Sequence, residues 1–382
     1  MIPVLAYLLA FFSALSSISA APLPAQNQTI LNFDVIVVGG GPSGLSALSG
    51  LARVRRNALL IDSGEYRNQW TRHAHDVIGS DGVTPAYFRA NARQQIAEYP
   101  TVTMQNGTVT NIEQLNSTAF LVTDSSGIQY ISRKVILGTG LQDILPSTPG
   151  ISENWARGIY WCPWCDGYEH RDQPLGLLGS IEKIPGLVEE VRTLNTDLIA
   201  FVNGTMTADR VSALDSSTPG WENLLTTYGV TIENGTIGDI ERIQDGAVYN
   251  SQIEKAEYDK FLVHLDNGTT IERAAFFTSF PSTQRSTLGQ SLGVVLVEGK
   301  LLANMTVGMR TNVDGVYAVG DANSDGSTNI PHAMWSGKRS AVDIHLQLAE
   351  EDAVSATAIA GITKRDLEDE ETALLRFMEL VQ

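Results

Sequence analysis

The chain has 382 residues and a formal net charge of −17 at pH 7, and 43% of its residues are hydrophobic. Because nucleic acids and anionic membranes repel so acidic a protein, the composition argues against both as partners. The length is enough for about two globular domains.

The first twenty residues predict a secretory signal peptide, residues 1–20. An apolar core from Val4 to Leu15 is followed by small residues that end at Ala20, where we place the cleavage site. The segment has no Lys or Arg, which departs from the usual signal, and a membrane anchor or a buried helix is the alternative. Its apolar core is shorter than the ~20 residues that a membrane-spanning helix needs.

Sequons for N-glycosylation, Asn-X-Ser/Thr, recur through the rest of the chain. Seven of them behind a predicted signal fit a secreted eukaryotic glycoprotein better than a cytosolic protein. We therefore expect an extracellular location. The sequons lie at Asn27, Asn106, Asn116, Asn203, Asn234, Asn267 and Asn304.

A strand-turn-helix pattern opens the predicted globular part. The β-branched run Phe33 to Val38 leads into Gly39-Gly40-Gly41-Pro42-Ser43-Gly44, and a helix-like segment, Leu45 to Arg53, follows. In this G-x-G-x-x-G spacing, glycines let backbone amides approach a pyrophosphate at a helix N-terminus. The next apolar run ends at Asp62, about 20 residues later, where a dinucleotide fold places an acid on a ribose. The pattern predicts a dinucleotide site rather than a plain turn.

Further along, the pattern divides the chain into a discontinuous domain and an insert. Alternating segments over 101–140 predict strands, and a Pro/Gly-containing stretch at 146–150 marks a linker. Residues 315–321 predict an apolar strand that ends in Gly-Asp, and a helix over 333–348 follows. We expect a first domain over 32–144 and 273–350, an insert over 145–272, and an acidic mobile tail over 351–382. Lys364-Arg365 in that tail is either a dibasic processing site or an ordinary exposed pair.

Cys162 and Cys165 are the only cysteines of the chain. Secreted proteins normally use cysteines to close long loops, but a bond at this spacing would stabilise little. Zinc would need two further ligands, which the six scattered histidines do not obviously supply. The spacing favours a redox-active pair, with a metal site and an inert pair as alternatives, and we expect no metal.

A second strand-turn-helix pattern, Leu175 to Leu194, has a degraded glycine motif. Residues 179–184 read Gly-Ser-Ile-Glu-Lys-Ile, so branched side chains and an acid stand where a pyrophosphate would approach the backbone. Pro185 is expected to interrupt the helix start. After the next strand, Asn203 of a sequon stands where a basic cluster would bind a 2′-phosphate. The pattern argues against NADPH as the electron donor.

The CxxC sequence and the Gly-Asp strand resemble the thioredoxin reductase-like flavoproteins, over nearly the whole chain after the signal. The matching residues are Cys162-Pro163-Trp164-Cys165-Asp166-Gly167 and Gly315 to Asp321. Further positions are similar to the branch of fungal dithiol and sulfhydryl oxidases, and the predicted secretion points to secreted fungal sulfhydryl oxidases. Those positions are Arg67-Asn68, His75, Gly79, Asp81-Gly82, Tyr168-Glu169 and Arg171-Asp172-Gln173-Pro174.

The resemblance implies an α/β fold with two Rossmann-like domains. The first is a three-layer ββα/βαβ FAD domain, and the insert is a degenerate NADPH-type domain that carries the CxxC sequence. Because proteins of this fold commonly pair, the resemblance also implies a homodimer.

The resemblance assigns roles to the redox residues. Cys165 is the sulfur that faces the flavin, and Cys162 is the sulfur that meets the substrate. A cysteine pair that opens a helix favours the thiolate, which supports this division. Asp166 matches an acid used for proton transfer, although related dithiol oxidases often have histidine there.

The resemblance also implies a set of FAD contacts. His332 begins a helix whose N-terminus is expected to point at the flavin, with a simple capping role as the alternative. Solvated or capping roles are the alternatives for His73 and His75. The implied contacts are Gly39, Gly41, Pro42, Ser43, Gly44, Asp62, Arg67, Asn68, His75, Thr139, Gly140, Gly320, Asp321, His332 and Ala333.

The leading hypothesis from the sequence is a secreted FAD-dependent thiol oxidase. It would oxidise small thiols such as glutathione, or dithiols, to disulfides and reduce oxygen to hydrogen peroxide. The alternatives are an NADPH-dependent thioredoxin reductase-like disulfide reductase and a biosynthetic oxidase that closes an intramolecular disulfide in a metabolite. A non-catalytic flavoprotein sensor is a further alternative.

Overall fold

A computed structural model describes residues 30–359, and its strands form two larger sheets and four small ones. The strands are β1 (Leu31–Val38), β2 (Ala58–Asp62), β3 (Val102–Asn106), β4 (Val109–Asn116), β5 (Ala119–Asp124), β6 (Gln129–Leu137), β7 (Leu141–Asp143), β8 (Ile159–Tyr160), β9 (Leu175–Leu178), β10 (Leu198–Phe201), β11 (Thr231–Glu233), β12 (Ile237–Gln244), β13 (Asn250–Ser251), β14 (Ala256–Glu257), β15 (Lys260–Leu265), β16 (Thr270–Arg273), β17 (Ala275–Thr278), β18 (Ser282–Gln284), β19 (Leu296–Val297), β20 (Lys300–Leu301) and β21 (Val316–Ala318). The helices are α1 (Pro42–Arg53), α2 (Pro85–Ile96), α3 (Ile151–Asn154), α4 (Ile184–Val191), α5 (Ala208–Ser217), α6 (Trp221–Thr227), α7 (Leu288–Ser291) and α8 (Ile330–Ile359).

The first sheet has the order β3-β2-β1-β6-β5-β4, and β21 pairs with β6. Strands β1, β2, β3, β6 and β21 are parallel, whereas β4 and β5 pair in an antiparallel manner. Val35, Ile36 and Val37 of β1 are fully buried, because layers cover both faces of a parallel sheet. Since β1, β6 and β21 are parallel, the turns that follow them meet at one carboxyl edge of the sheet.

Helices α1 and α8 approach each other closely beside this edge. A Cβ on Gly50 would lie 2.7 Å from the Cβ of Ala341, and one on Gly337 would lie 2.0 Å from the Ser43 carbonyl oxygen. Ser46 Oγ donates a hydrogen bond of 2.6 Å to the Met334 carbonyl oxygen. The two small-residue contacts therefore hold the N-terminus of α8 next to that of α1.

The second sheet is parallel and has the order β11-β10-β9-β17-β8. A separate antiparallel sheet, β12-β15-β16, packs against it through Phe261, Phe276 and Phe201. The predicted strand-turn-helix pattern at 175–194 corresponds to β9, a 3-10 turn and α4. Pro185 lies in the first turn of α4, where its missing N–H costs no helical hydrogen bond. The predicted interruption of this helix is therefore wrong.

The insert extends further than the sequence predicted. β17 pairs with β8 and β9, so the chain remains in the second sheet through Thr278 rather than leaving it at residue 273. β18 then pairs with β7, which places the returning strand beside the strand that led into the insert. Because β17 pairs within the second sheet, the boundary of the insert lies after Thr278 and not at residue 273. No local sequence pattern specifies this pairing.

The last helix is longer than the predicted 333–348, because α8 runs from Ile330 to Ile359. Glu351 pairs with Lys134 Nζ at 2.5 Å, and Asp352 pairs with Arg56 at 2.7 Å. Residues 351–359 of the predicted tail are thus helical, which corrects the expected boundary. The signal at 1–20 and the rest of the tail, with Lys364-Arg365, lie outside the described residues. Within 30–359, no helix is both long and apolar enough to cross a membrane.

Candidate functional site

A cavity of about 460 Å³ opens at the carboxyl edge of the first sheet. Its volume falls within the range of small-molecule sites, about 300–1,000 Å³. It is walled by the first glycine turn, the loop after β2, the turn after β6, the start of α8 and the CxxC turn of the insert. The predicted site residues on its wall are Gly39, Gly41, Pro42, Ser43, Arg67, Asn68, His75, Thr139, Gly140, Cys165, Asp166, Asp321 and Ala333.

The glycines of the first turn have two separate functions. Gly39 has a φ of +105°, and a Cβ there would lie 2.3 Å from the Gly138 carbonyl oxygen. A Cβ on Gly44 would lie 1.9 Å from the Gly39 carbonyl oxygen, so these two glycines permit the turn itself. A Cβ on Gly41 would meet no atom within 4 Å. Gly41 therefore keeps the space in front of α1 open, where helix amides and the helix dipole favour an anion.

Asp62 lies behind this turn and is buried. Its carboxylate accepts hydrogen bonds from Tyr66 Oη at 2.6 Å, Gly64 N at 3.0 Å and Arg93 at 3.1 Å. It does not form part of the cavity wall described above, and neither do Gly44, Gly320, His332 or Cys162. Cofactor contacts by Gly44, Asp62, Gly320 and His332 stay predictions.

Arg67 on the cavity wall connects two acids, of which Asp321 also lines the cavity. It binds Asp143 at 2.6 Å and Asp321 at 2.9 Å, and its guanidinium lies 5.1 Å from the centre of the Trp161 ring. Burial raises the pKa of the Asp321 carboxyl, although the positive charge of Arg67 opposes the shift. The Gly-Asp pair after β21 therefore places its acid on the cavity wall, where the resemblance implied a cofactor contact.

The N-terminus of α8 also reaches the cavity, through residues 328–330 and Ala333. Asn329 caps this helix, because its Oδ1 accepts a hydrogen bond of 2.8 Å from His332 N. The His332 ring instead pairs with Asp325 at 2.6 Å and lies beside Trp335. The helix dipole, rather than the His332 side chain, is what this element presents to the cavity.

Cys162 and Cys165 form a disulfide at the edge of the same cavity. The pair opens a short π-helix, Pro163–Gly167, in which the amides of Cys165 and Asp166 both donate to the Cys162 carbonyl oxygen. Cys165 lies on the cavity wall, whereas Trp164 between the cysteines is 69% exposed. Cys165 of the disulfide therefore lies against the cavity, and the neighbouring Trp164 faces solvent.

Asp166 follows Cys165 on the cavity wall. Burial raises the pKa of its carboxyl to about 7, although the positive charge of the nearby His170 opposes the shift. A carboxyl with a pKa near neutrality can both take up and release a proton at physiological pH. The position next to Cys165 suits it to exchange protons with the thiol pair.

Sequence reasoning missed a buried ionic network behind the CxxC turn. Arg72 binds Asp259 at 2.8 Å and Asp245 at 2.7 Å, and it also pairs with Glu257. His170 lies within 3.2 Å of Asp259. No local pattern marks these residues, since Arg72 and Asp259 are 187 positions apart. The ligand atoms of His170, Glu257 and Asp259 lie close together, and Arg72 binds both of these acids.

His73 and His75 both line the cavity, and the side chain of His73 is 39% exposed whereas that of His75 is 15% exposed. His75 lies 3.3 Å from Asp81 and 3.4 Å from Glu169, and His73 lies 3.3 Å from Glu257. The loop after β2 thus contacts acids of the insert through each of these rings.

The second glycine turn, at the start of the 3-10 turn 181–183, is closed. The amide of Ile181 donates to Thr205 Oγ1 at 3.0 Å, and the Ile181 side chain is fully buried. A Cβ on Gly179 would make ordinary contacts of 3.5 Å, so nothing here requires a glycine. Glu182 pairs with Arg210 at 3.3 Å. The amide and the space that would bind a pyrophosphate are used by the protein itself.

Comparisons with known proteins agree with this geometry. The model of the pyridine nucleotide-disulphide oxidoreductase family matches residues 33–184. A protein of Arthroderma benhamiae named "Probable thioredoxin reductase" is 48% identical over 371 residues, which are 94% of this chain and 90% of that protein. The chain belongs to the thioredoxin reductase-like disulfide oxidoreductases. The "Thioredoxin reductase aclD" of Aspergillus oryzae is 32% identical over 83% of this chain and 96% of that protein. The crystal structure of HlmI superposes with a TM-score of 0.75 at 28% identity, covering 86% and 96% of the two chains.

The family match confirms the two-domain α/β fold, the disulfide oxidoreductase class and FAD as the cofactor. The cavity fits FAD on its own features. The open position at Gly41 and the N-terminus of α1 suit the pyrophosphate, Arg67 and Asp321 place polar groups on the wall, and Cys165 of the disulfide lies on the same wall.

Proposed function

We propose that the protein is a secreted FAD-dependent thiol oxidase that converts small thiols or dithiols to disulfides and oxygen to hydrogen peroxide. One observation carries the proposal: the disulfide lies against the FAD cavity, while the second nucleotide turn is filled by Ile181 and its amide is bound to Thr205. A cysteine pair without a nicotinamide donor receives its electrons from thiols.

In the proposed reaction a substrate thiolate attacks Cys162, which breaks the disulfide and releases Cys165 as a thiolate. A second thiolate attacks the mixed disulfide, so the two substrate sulfurs become bonded and Cys162 leaves. Asp166 exchanges a proton with the pair. Bound FAD supplies a two-electron acceptor that oxygen can reoxidise, so two thiols and one oxygen yield one disulfide and one hydrogen peroxide. The Cys162–Cys165 bond re-forms as the pair gives up its electrons.

The names of the relatives support the alternative, a thioredoxin reductase-like disulfide reductase. The closed turn at 179–183 disfavours NADPH as its donor, so a reductase of this chain would need another one. A biosynthetic oxidase that closes a disulfide within one metabolite uses the same residues and differs only in the substrate that reaches Cys162.

Anaerobic mixing of the yellow holoprotein with glutathione, dithiothreitol or NADPH distinguishes these functions. We expect either thiol to bleach the flavin band at about 450 nm and air to restore it with release of peroxide. Cys165→Ser and Cys162→Ser should each lower the bleaching rate by at least about a hundredfold, because neither retains the disulfide. Bleaching by NADPH and not by thiols would sink the proposal in favour of the reductase.

The sequons, as well as the predicted signal, support the proposal that the protein is secreted. Six sequon asparagines lie in the described residues, and all six are exposed: Asn106, Asn116, Asn203, Asn234, Asn267 and Asn304. Each uses its side-chain oxygen as a hydrogen-bond acceptor, whereas a glycan attaches to the nitrogen. In a eukaryotic host, glycosidase treatment of the medium should lower the mass of the protein. A chain that stays inside the cells with unmodified mass would refute this assignment.

The homodimer remains a proposal from the resemblance alone.

A further inference from the structure

His170 lies directly behind the redox turn and is 2% exposed. Its ring stacks on Tyr160, with centres 5.6 Å apart, and it is four residues beyond Asp166 in the same turn. The proposed reaction gives this residue no part, although it is the buried histidine nearest the disulfide in sequence.

Both ring nitrogens of His170 face acceptors. Nδ1 lies 2.9 Å from the main-chain carbonyl oxygen of Asp166, which can only accept. Nε2 lies 3.2 Å from Asp259 Oδ2. A neutral imidazole carries one N–H and could satisfy only one of these contacts, so the second requires either an imidazolium or a protonated Asp259.

Asp259 is ionised, because its carboxylate accepts hydrogen bonds from several donors at once. Arg72 binds both oxygens, at 2.8 and 2.9 Å, and Gly246 N donates to Oδ1 at 2.8 Å. Burial acts to raise the pKa of Asp259, but the hydrogen bonds from His170 and Arg72 outweigh it and lower the pKa to about 2. His170 must therefore supply both protons, and its ring is cationic.

The charged groups near the His170 ring lie on its own turn and on the side of Arg72. Glu257 lies 4.0 Å from Nε2 on the side of Arg72, and Asp166 and Glu169 flank the ring along its own turn. Arg72 places one positive charge among the carboxylates of Asp245, Glu257 and Asp259, so negative charge remains in excess on that side of the ring. Tyr160 is the remaining titratable side chain that packs on the ring. Two cations behind the redox turn, His170 and Arg72, act to lower the pKa of Asp166, and His170 has the larger effect, whereas Glu257 and Glu169 act to raise it.

We propose that His170 is a positioning residue for the redox pair, held as an imidazolium by Asp259, whose carboxylate Arg72 orients. It fixes the main chain at Asp166 and stabilises the ionised Asp166 carboxyl, which keeps that group able to accept a proton during exchange with the flavin. Because Arg72 belongs to the cavity loop after β2, the same network ties the redox turn to the cofactor loop. The inference rests on exchange between the pair and the flavin, and not on oxygen as the final acceptor.

The first test uses the pH dependence of anaerobic flavin bleaching by dithiothreitol. His170→Gln removes the cation with the larger effect on Asp166 and leaves burial and the acids opposed by Arg72 alone, so the inflection of the rate should move upward by about one pH unit. His264→Gln is the matched control, since His264 pairs with Glu241 on the separate antiparallel sheet. Its profile should coincide with that of the unmodified protein. An unchanged inflection in His170→Gln would overturn the inference.

A second test needs no turnover, and its first measurement uses the unmodified protein. In the ¹⁵N-histidine NMR spectrum of the holoprotein at pH 8, one ring should remain doubly protonated, and its signal should be missing from His170→Gln. In Asp259→Asn that ring should become neutral. A spectrum with every ring neutral at pH 8 would refute the imidazolium. Absence of bleaching by any thiol would instead refute the proposed function and leave the NMR result decisive for His170.

Discussion

Asp166 makes the stability of the protein depend on pH. Burial raises the pKa of this carboxyl to about 7, whereas an aspartate of the unfolded chain titrates near 3.9. The folded state therefore retains a proton that the unfolded chain releases between about pH 4 and pH 7. Stability contributed by Asp166 is present below this window and is lost as pH rises through it.

We expect Asp166→Asn to remove this dependence. Urea unfolding should show the variant gaining stability relative to the unmodified protein between about pH 4.5 and pH 8. Asp314→Asn changes an exposed aspartate and serves as the control. Parallel pH dependences for Asp166→Asn and the unmodified protein would show that the Asp166 carboxyl is not perturbed by the fold.

Residues of the site differ in how far the sequence could predict them. The CxxC pair and the acid after it are adjacent in the chain, so their spacing and the resemblance sufficed to select them. Arg72 lies in the loop after β2 and Asp259 lies just before β15, 187 positions further along the chain, and neither residue type at its position is unusual. Only packing of the insert against the cavity loop makes them partners.

The first glycine turn shows how one element serves both fold and cofactor. A Cβ on Gly44 would collide with a backbone oxygen at 1.9 Å, whereas a Cβ on Gly41 would enter the open cavity. Replacing glycine with alanine should therefore affect folding at position 44 and FAD binding at position 41.

Gly44→Ala should destabilise the protein by about 3 kcal/mol or more, because the backbone must move to accommodate the methyl group. Gly41→Ala should change the free energy of unfolding by less than about 1 kcal/mol and weaken FAD binding by at least about tenfold. Urea unfolding and FAD titration of the apoprotein measure the two effects. Equal FAD affinity in Gly41→Ala and the unmodified protein would contradict the assignment of the cavity to the cofactor.

At the scale of the whole molecule, the end of α8 returns to the first sheet. Lys134 lies in β6, where the buried half of this strand begins, and it pairs with Glu351. Arg133 binds both Glu351 and Asp352. These contacts lie in the segment that the sequence assigned to a mobile tail.

A chain that ends at Glu350 should be less stable than one that ends at Ile359, by about 1–3 kcal/mol. The shorter chain leaves the buried ammonium group of Lys134 without the carboxylate of Glu351. This loss should cost more stability than the loss of an exposed ion pair. Thermal or urea unfolding of the two truncated proteins measures the difference. Equal stabilities would show that the ion pairs at 351–352 contribute nothing to the fold.

The sequence by itself determined the dinucleotide turn, the redox pair and the loss of the second glycine motif. These features depend on the conformations open to a few neighbouring residues, which glycine, proline and branched side chains set locally. The tertiary structure alone decided that β17 remains in the insert, that α8 continues to Ile359, and that Arg72 and His170 both reach Asp259. Strand pairing and buried ion pairs join distant segments, so their partners follow from packing and not from spacing along the chain.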